Sequence, residues 1–134
     1  MPFVLDASVA ASWALASEDH PIADLAASRI RSEDALAPGL LWFELRNILV
    51  AGERRKRIAE HDTHRFLRTF DQMRIIIDRF PDGDAVLGFA RSHRLSFYDA
   101  SYLELAHRER LPLATLDKNL ARAAQAEGVE ILGD

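Results

Sequence analysis

Short apolar runs alternate along the chain with longer amphipathic ones. Phe3-Val4-Leu5 is a short buried-strand candidate, and Asp6-Ala7-Ser8 follows it. The stretch from Val9 to Ala16 is Ala-rich and carries Trp13 and Leu15, which predicts helix. Pro21 opens a second helix, Ile22 to Ile30, with proline at a first-turn position. Ala35-Leu36-Ala37 reads as a short strand closed by Pro38-Gly39. A third helix is expected from about Leu40 to Arg54, and a fourth from about Glu60 to Arg74, with Phe66, Leu67, Phe70 and Met73 at helical spacing. Ile75-Ile76-Ile77 is the clearest β-branched strand. Asp82 caps a helix running through Arg91, and Ser96 starts another through about His107. Leu113-Ala114-Thr115 reads as a strand and Lys118 to Ala126 as a helix. Gly128 stops that helix, and Val129-Glu130-Ile131 is a last strand. Strands and helices in alternation predict a parallel sheet covered by helices. In such open sheets ligands sit at the carboxyl ends of the strands, so acids just after strands are the first candidates.

Composition narrows the class. The 134 residues suit one domain, 1–134, with no repeat, low-complexity segment or linker. A hydrophobic fraction of 49% with 28% charged residues is that of an ordinary globular chain, which disfavours disorder, collagen and coiled coil. The chain has no cysteine, so disulfides, thiolate zinc sites, iron–sulfur clusters and a cysteine nucleophile are excluded, and a reducing cytoplasm fits. No apolar run of about 18 residues predicts a membrane span, and Met1-Pro2-Phe3 does not begin a secretory signal. A net charge of −4 argues against nucleic-acid binding by bulk charge. The cations are lopsided, 15 Arg to 2 Lys, and Arg is the residue for planar contacts to carboxylate or phosphate.

Four acids stand out: Asp6 after the first strand, Asp117 after Leu113-Ala114-Thr115, Asp99 at a helix start, and Glu44 inside a helix. Asp6 and Asp117 read equally as helix N-caps, and Ser96 with Asp99 has capping-box spacing. Glu44 shares an apolar stripe with Leu40, Leu41 and Ile48, and Asn47 lies beside it. A carboxylate on such a face needs a partner, expected to be a cation, either an Arg or a metal. Taken together, the four acids could converge on one rim. Clustered carboxylates repel unless a cation neutralises them, and oxygen ligands without Cys or clustered His select Mg²⁺ or Mn²⁺. Metal-dependent phosphodiester hydrolysis is the chemistry such a site would perform.

At this point the residues resemble a family. Val4-Leu5-Asp6-Ala7-Ser8, Glu44 with Asn47, Tyr98-Asp99-Ala100 and Thr115-Leu116-Asp117 look like the four acidic motifs of the PIN-domain nucleases. From Phe3 to about Leu132 the chain resembles the VapC-type toxin ribonucleases of bacterial toxin–antitoxin pairs. The resemblance implies a PIN-like three-layer α/β/α fold with about five short parallel strands. It implies that Asp6, Glu44, Asp99 and Asp117 ring a Mg²⁺ or Mn²⁺ ion, with Ser8 and Thr115 as polar supports and Asn47 beside Glu44 without touching the metal. It further implies an RNA substrate such as tRNA or rRNA, a homodimer, and a small antitoxin that inhibits the enzyme and through which alone operator DNA is bound. Asn119 stands where some relatives carry a further acid.

Other features carry weaker readings. Arg54-Arg55-Lys56-Arg57 is either a solvated helix end or an RNA phosphate contact. Arg46 reads as a salt-bridge partner or a phosphate contact, and Tyr98 as an RNA contact or a packing residue. Trp13, Trp42 and Phe43 are expected as core or dimer contacts, and the five His residues as surface groups. Two rival classes remain: a non-catalytic metal- or RNA-binding module of the same fold, and a phosphoacceptor domain. The second lacks the paired acid at the first strand. No Gly-x-Ser-x-Gly elbow, dinucleotide fingerprint or P-loop is present.

Overall fold

The computed structural model describes residues 1–15 and 20–133. In chain order the elements are β1 (Phe3–Leu5), α1 (Ala7–Ser12), α2 (Pro21–Arg29), β2 (Ala35–Pro38), α3 (Leu40–Arg54) and α4 (Glu60–Phe70). They continue with β3 (Ile75–Asp78), α5 (Gly83–His93), α6 (Phe97–Glu109), β4 (Leu113–Ala114) and α7 (Lys118–Ala126). All pairings are parallel, in the order β3-β2-β1-β4. The α/β architecture is as the alternation predicts, with four strands rather than about five. The expected last strand is reduced to a single bridge, Ile131 to Leu113. Only Leu113 offers backbone there: its N–H donates to Glu130 O and its carbonyl accepts from Leu132 N–H.

β1 shows why the sheet is covered on both sides. Its side chains alternate, so Phe3 and Leu5 join one apolar cluster while Val4 joins the other. The first cluster is built with Val9 and Ala10 of α1, Ala23 and Ala26 of α2, and Leu41, Leu45 and Leu49 of α3. The second is built with Tyr102, Leu103 and Leu105 of α6 and Leu120, Ala123 and Ala124 of α7. Each large side chain so buried contributes about 1.5–3 kcal/mol. Four helix starts are set by side chains that satisfy orphan N–H groups. Asp6 accepts from Val9 N–H, Asp82 from Ala85 N–H, Ser96 from Asp99 N–H, and Asp117 from both Asn119 and Leu120 N–H.

Two helices are shorter than their periodicity. α1 ends at Ser12, whose hydroxyl donates back to Val9 O; Trp13 Nε1 then donates to Ala23 O and turns the chain toward α2. Ala16, the expected end, lies outside the described residues. α4 stops at Phe70 rather than Arg74, because Arg74 O already accepts from Ala35 N–H at the start of β2. Of the residues expected as core or dimer contacts, Trp42 and Phe43 are 54% and 69% exposed and so lie outside the core, whereas Trp13 packs against the first cluster. Among the described helices, none is long and apolar enough to cross a membrane.

Candidate active site

The strand order reverses between β1 and β4, since β2 and β3 lie to one side of β1 and β4 to the other. Parallel sheets open a crevice at that point, beyond the carboxyl ends of the strands. Asp6 leaves β1 there, and Thr115 and Asp117 leave β4. The two strand ends are tied together through side chains. Thr115 Oγ1 donates to Asp6 Oδ2 at 2.5 Å, and Ser8 Oγ donates to Asp6 Oδ1 at 2.6 Å. Ser8 Oγ accepts from Leu116 N–H at 3.0 Å, and Thr115 Oγ1 accepts from Asp117 N–H at 3.0 Å. Asp6 is thus only 4% exposed and satisfied entirely by hydroxyl and amide donors. Burial pushes its carboxyl up to about 6, against the lowering by those hydrogen bonds, and the charge of Asp99 adds to the rise.

Glu44 and Asp99 enter from two helices. α3 begins just past β2 and carries Glu44, half-buried, one turn in. Among the described residues no Arg pairs with Glu44; its Oε1 accepts from the Tyr102 hydroxyl at 2.7 Å. Burial and then the charge of Asp99 raise the Glu44 carboxyl, with the Tyr102 hydrogen bond opposing. Asp99, half-buried in the first turn of α6, is raised by burial and then by the charge of Asp117, with Ser96 opposing. Asp99 therefore shares a field with Asp6, Glu44 and Asp117. Among the described residues, none of the four acids pairs with Arg or Lys.

Field and ligand geometry are different things. Among the described residues, no three acids or histidines stand as a group able to hold one metal ion, so the expected ring of four is not closed. Both oxygens of Asp6, Oδ1 of Asp117 and Oε1 of Glu44 already accept from protein donors. The donor set, hard carboxylate oxygens among which the charge of Asp99 raises Asp6 and Glu44 and the charge of Asp117 raises Asp99, is of the type that suits a divalent cation.

The remaining predicted residues are dispersed. Asn47 is exposed on α3 and, among the described residues, makes no hydrogen bond to Glu44. Arg46 lies over the Trp42 ring at 4.0 Å, donates to Trp42 O at 3.1 Å and stands 3.9 Å from Asp71, so it is not the partner of Glu44. Arg54 and Arg55 are exposed at the far end of α3, about 15 Å of helix from Glu44. Tyr98 is 62% exposed beside Asp99. His93 is half-buried against Glu127 at 2.6 Å rather than a free surface group. Tyr102 is the residue that sequence reasoning missed. Its position one turn after Asp99, on the same side of α6, was the available signal.

The family model for the PIN domain matches residues 3–126. A solved structure, PAE2754 from Pyrobaculum aerophilum, superposes with a TM-score of 0.75 at 24% identity, covering 98% of this chain and 90% of that one. At that identity the likeness is one of fold. No curated protein matches the chain.

Proposed function

The chain belongs to the PIN-domain family, generally a metal-dependent nuclease fold, and on that premise we propose that it is a VapC-type endoribonuclease that hydrolyses RNA phosphodiester bonds. One observation carries the reading. Asp99 on α6 is coupled by like-charge repulsion to Asp6 after β1, Glu44 on α3 and Asp117 after β4; among the described residues none of the four pairs with Arg or Lys, and they are held by hydroxyls and amides that orient charge without cancelling it. Asp6, Glu44, Asp99 and Asp117 would hold Mg²⁺ or Mn²⁺. When bound, such an ion lowers the pKa of water and polarises a phosphoryl oxygen. The chain's own part is to fix Asp6 between Ser8 and Thr115, to set Asp117 at the α7 cap, and to keep Asp99 half-buried among like charges. Arg46, Arg54, Arg55 and Tyr98 are the proposed RNA contacts, offsetting the net acidity locally.

The biological setting follows from the resemblance in the motifs. The substrate is tRNA or rRNA in the cytoplasm. The protein is a homodimer and the toxin of a type II pair. A small antitoxin inhibits it, and operator DNA is bound only through that partner. A second reading, a non-catalytic metal- or RNA-binding module, is favoured by the absence of a closed three-acid group among the described residues.

The test is cleavage of total cellular RNA by purified protein with Mg²⁺, Mn²⁺ or EDTA, beside Asp99→Asn purified identically. Discrete fragments that need metal and vanish in the variant are the expected result. Metal binding without cleavage of any RNA would favour the module instead.

A further inference from the structure

Tyr102 is 1% exposed, and a phenol buried to that degree must find a polar partner for its hydroxyl. Many partners would serve packing equally well. The one observed is Glu44 Oε1 at 2.7 Å, from a helix that is distant in sequence. The backbone N–H of Ala7, next after Asp6, also interacts with the phenolic oxygen. Tyr102 itself lies one turn after Asp99 on α6. A single hydroxyl carried by the helix of Asp99 therefore reaches both the segment after β1 and the acid of α3.

We propose that Tyr102 is a positioning residue whose buried hydroxyl fixes the Glu44 carboxylate against the Asp99 helix, engaging Oε1 and leaving Oε2 for a divalent cation. The proposal rests on the metal-dependent reading above. Among the described residues Oε2 of Glu44 has no protein donor. Glu44 sits on a long side chain, half-buried, and a carboxylate with no fixed donor would sample several rotamers. Hydrogen bonds of this kind orient metal-binding groups, and their loss typically weakens metal affinity about 10- to 100-fold.

The experiment measures Mn²⁺ affinity by calorimetry, with no RNA present, for wild type, Tyr102→Phe, Glu44→Gln and the double variant, with thermal unfolding as the control on folding. Tyr102→Phe is expected to weaken Mn²⁺ binding about 10-fold or more. In the Glu44→Gln background the same change is expected to alter affinity less than about twofold, because the route through Glu44 is already cut. Cleavage by Tyr102→Phe is expected to recover as Mn²⁺ is raised, which a generally loosened core would not do. Wild-type affinity in Tyr102→Phe, or an equal loss in both backgrounds, overturns the proposal. If Tyr102→Phe does not fold, Tyr102→Gln, which keeps a polar group but withdraws it from Glu44, is expected to show the same loss, and wild-type affinity there overturns it. A wild type that binds no Mn²⁺ overturns the metal-dependent reading itself, and the role of Tyr102 with it.

Discussion

Asp99 and Glu104 lie on the same helix, and the protein treats them in opposite ways. Glu104, 2% exposed, is gripped by Arg108, with Nε on Oε2 at 2.7 Å and Nη2 on Oε1 at 3.1 Å. The same guanidinium reaches Asp78 Oδ2 at the end of β3 at 2.7 Å. Arg108 also stands 3.6 Å from Glu109, so one cation serves three acids and joins the edge strand to α6; Glu104 and Asp78 push its guanidinium further up. Asp99 instead is coupled to Asp117, Asp6 and Glu44, and among the described residues no Arg or Lys pairs with any of them. Guanidinium donors hold a carboxylate and cancel its charge. Hydroxyl and amide donors hold it and leave the charge in place. Along α6 the first arrangement makes a joint to β3 and the second leaves the charge of Asp99 beside the acids at the strand ends.

The comparison can be broken by experiment. The largest effect expected is on activity. Asp99→Asn should lower RNA cleavage by about 10²-fold or more, the scale of losing one electrostatic contact at a reacting centre, while Glu104→Gln should leave cleavage within about threefold. Equal losses in a gel-based cleavage assay would erase the distinction. Next is Arg108→Met, which leaves Glu104 buried and unpaired. The expected cost is about 2–3 kcal/mol in urea unfolding at neutral pH, short of the 3–5 for a fully buried pair because Arg108 is partly exposed.

Asp6→Asn should act in the other direction. The folded carboxyl has been pushed up to about 6 from an ordinary 3.8, so its protonated form is the one the fold prefers. That contribution is fully present below pH 3.8 and is lost as pH rises through 6. Above pH 6 the ionised group costs up to about 3 kcal/mol, from about 1.36 kcal/mol per pKa unit. Asparagine escapes that cost but accepts less well from Thr115. The variant should therefore be about 1–2 kcal/mol more stable than wild type at pH 8, with the gain vanishing toward pH 4. A variant less stable than wild type at pH 8 by thermal unfolding would show that the hydrogen bonds outweigh burial. The smallest effect is ligand linkage. Mn²⁺ at ten times its Kd should stabilise wild type and Arg108→Met by about 1.4 kcal/mol and Asp99→Asn by much less, read as thermal shifts.

These contrasts were only partly legible in the sequence. Strand-to-helix caps are local, so Asp6, Asp82, Ser96 and Asp117 could be placed from the residues around them. The alternation that gave the parallel sheet is local too. The Tyr102–Glu44 and Arg108–Asp78 contacts join residues far apart in the chain, and no spacing rule reaches them. The stripe through Glu44 showed that it faces inward but not which donor waited there. For Trp42, helical periodicity could not show that its face is left open, with Arg46 stacked on it. The shortened α4 followed from a register between Arg74 and Ala35 that exists only once the sheet forms.

The central place of β1 has a temporal consequence. Its partners are β2 on one side and β4 on the other, so Asp6 meets Thr115 only after 109 further residues. Ribosomes add about 5–20 residues per second, so some 5–20 seconds separate the synthesis of these two halves of the crevice. Until β4 docks, Asp6 has no Thr115 and Asp117 has no strand end to hold it. Closing so long a loop is among the slow, high-contact-order steps of folding. The two sides of the crevice therefore cannot meet until β4 has been made.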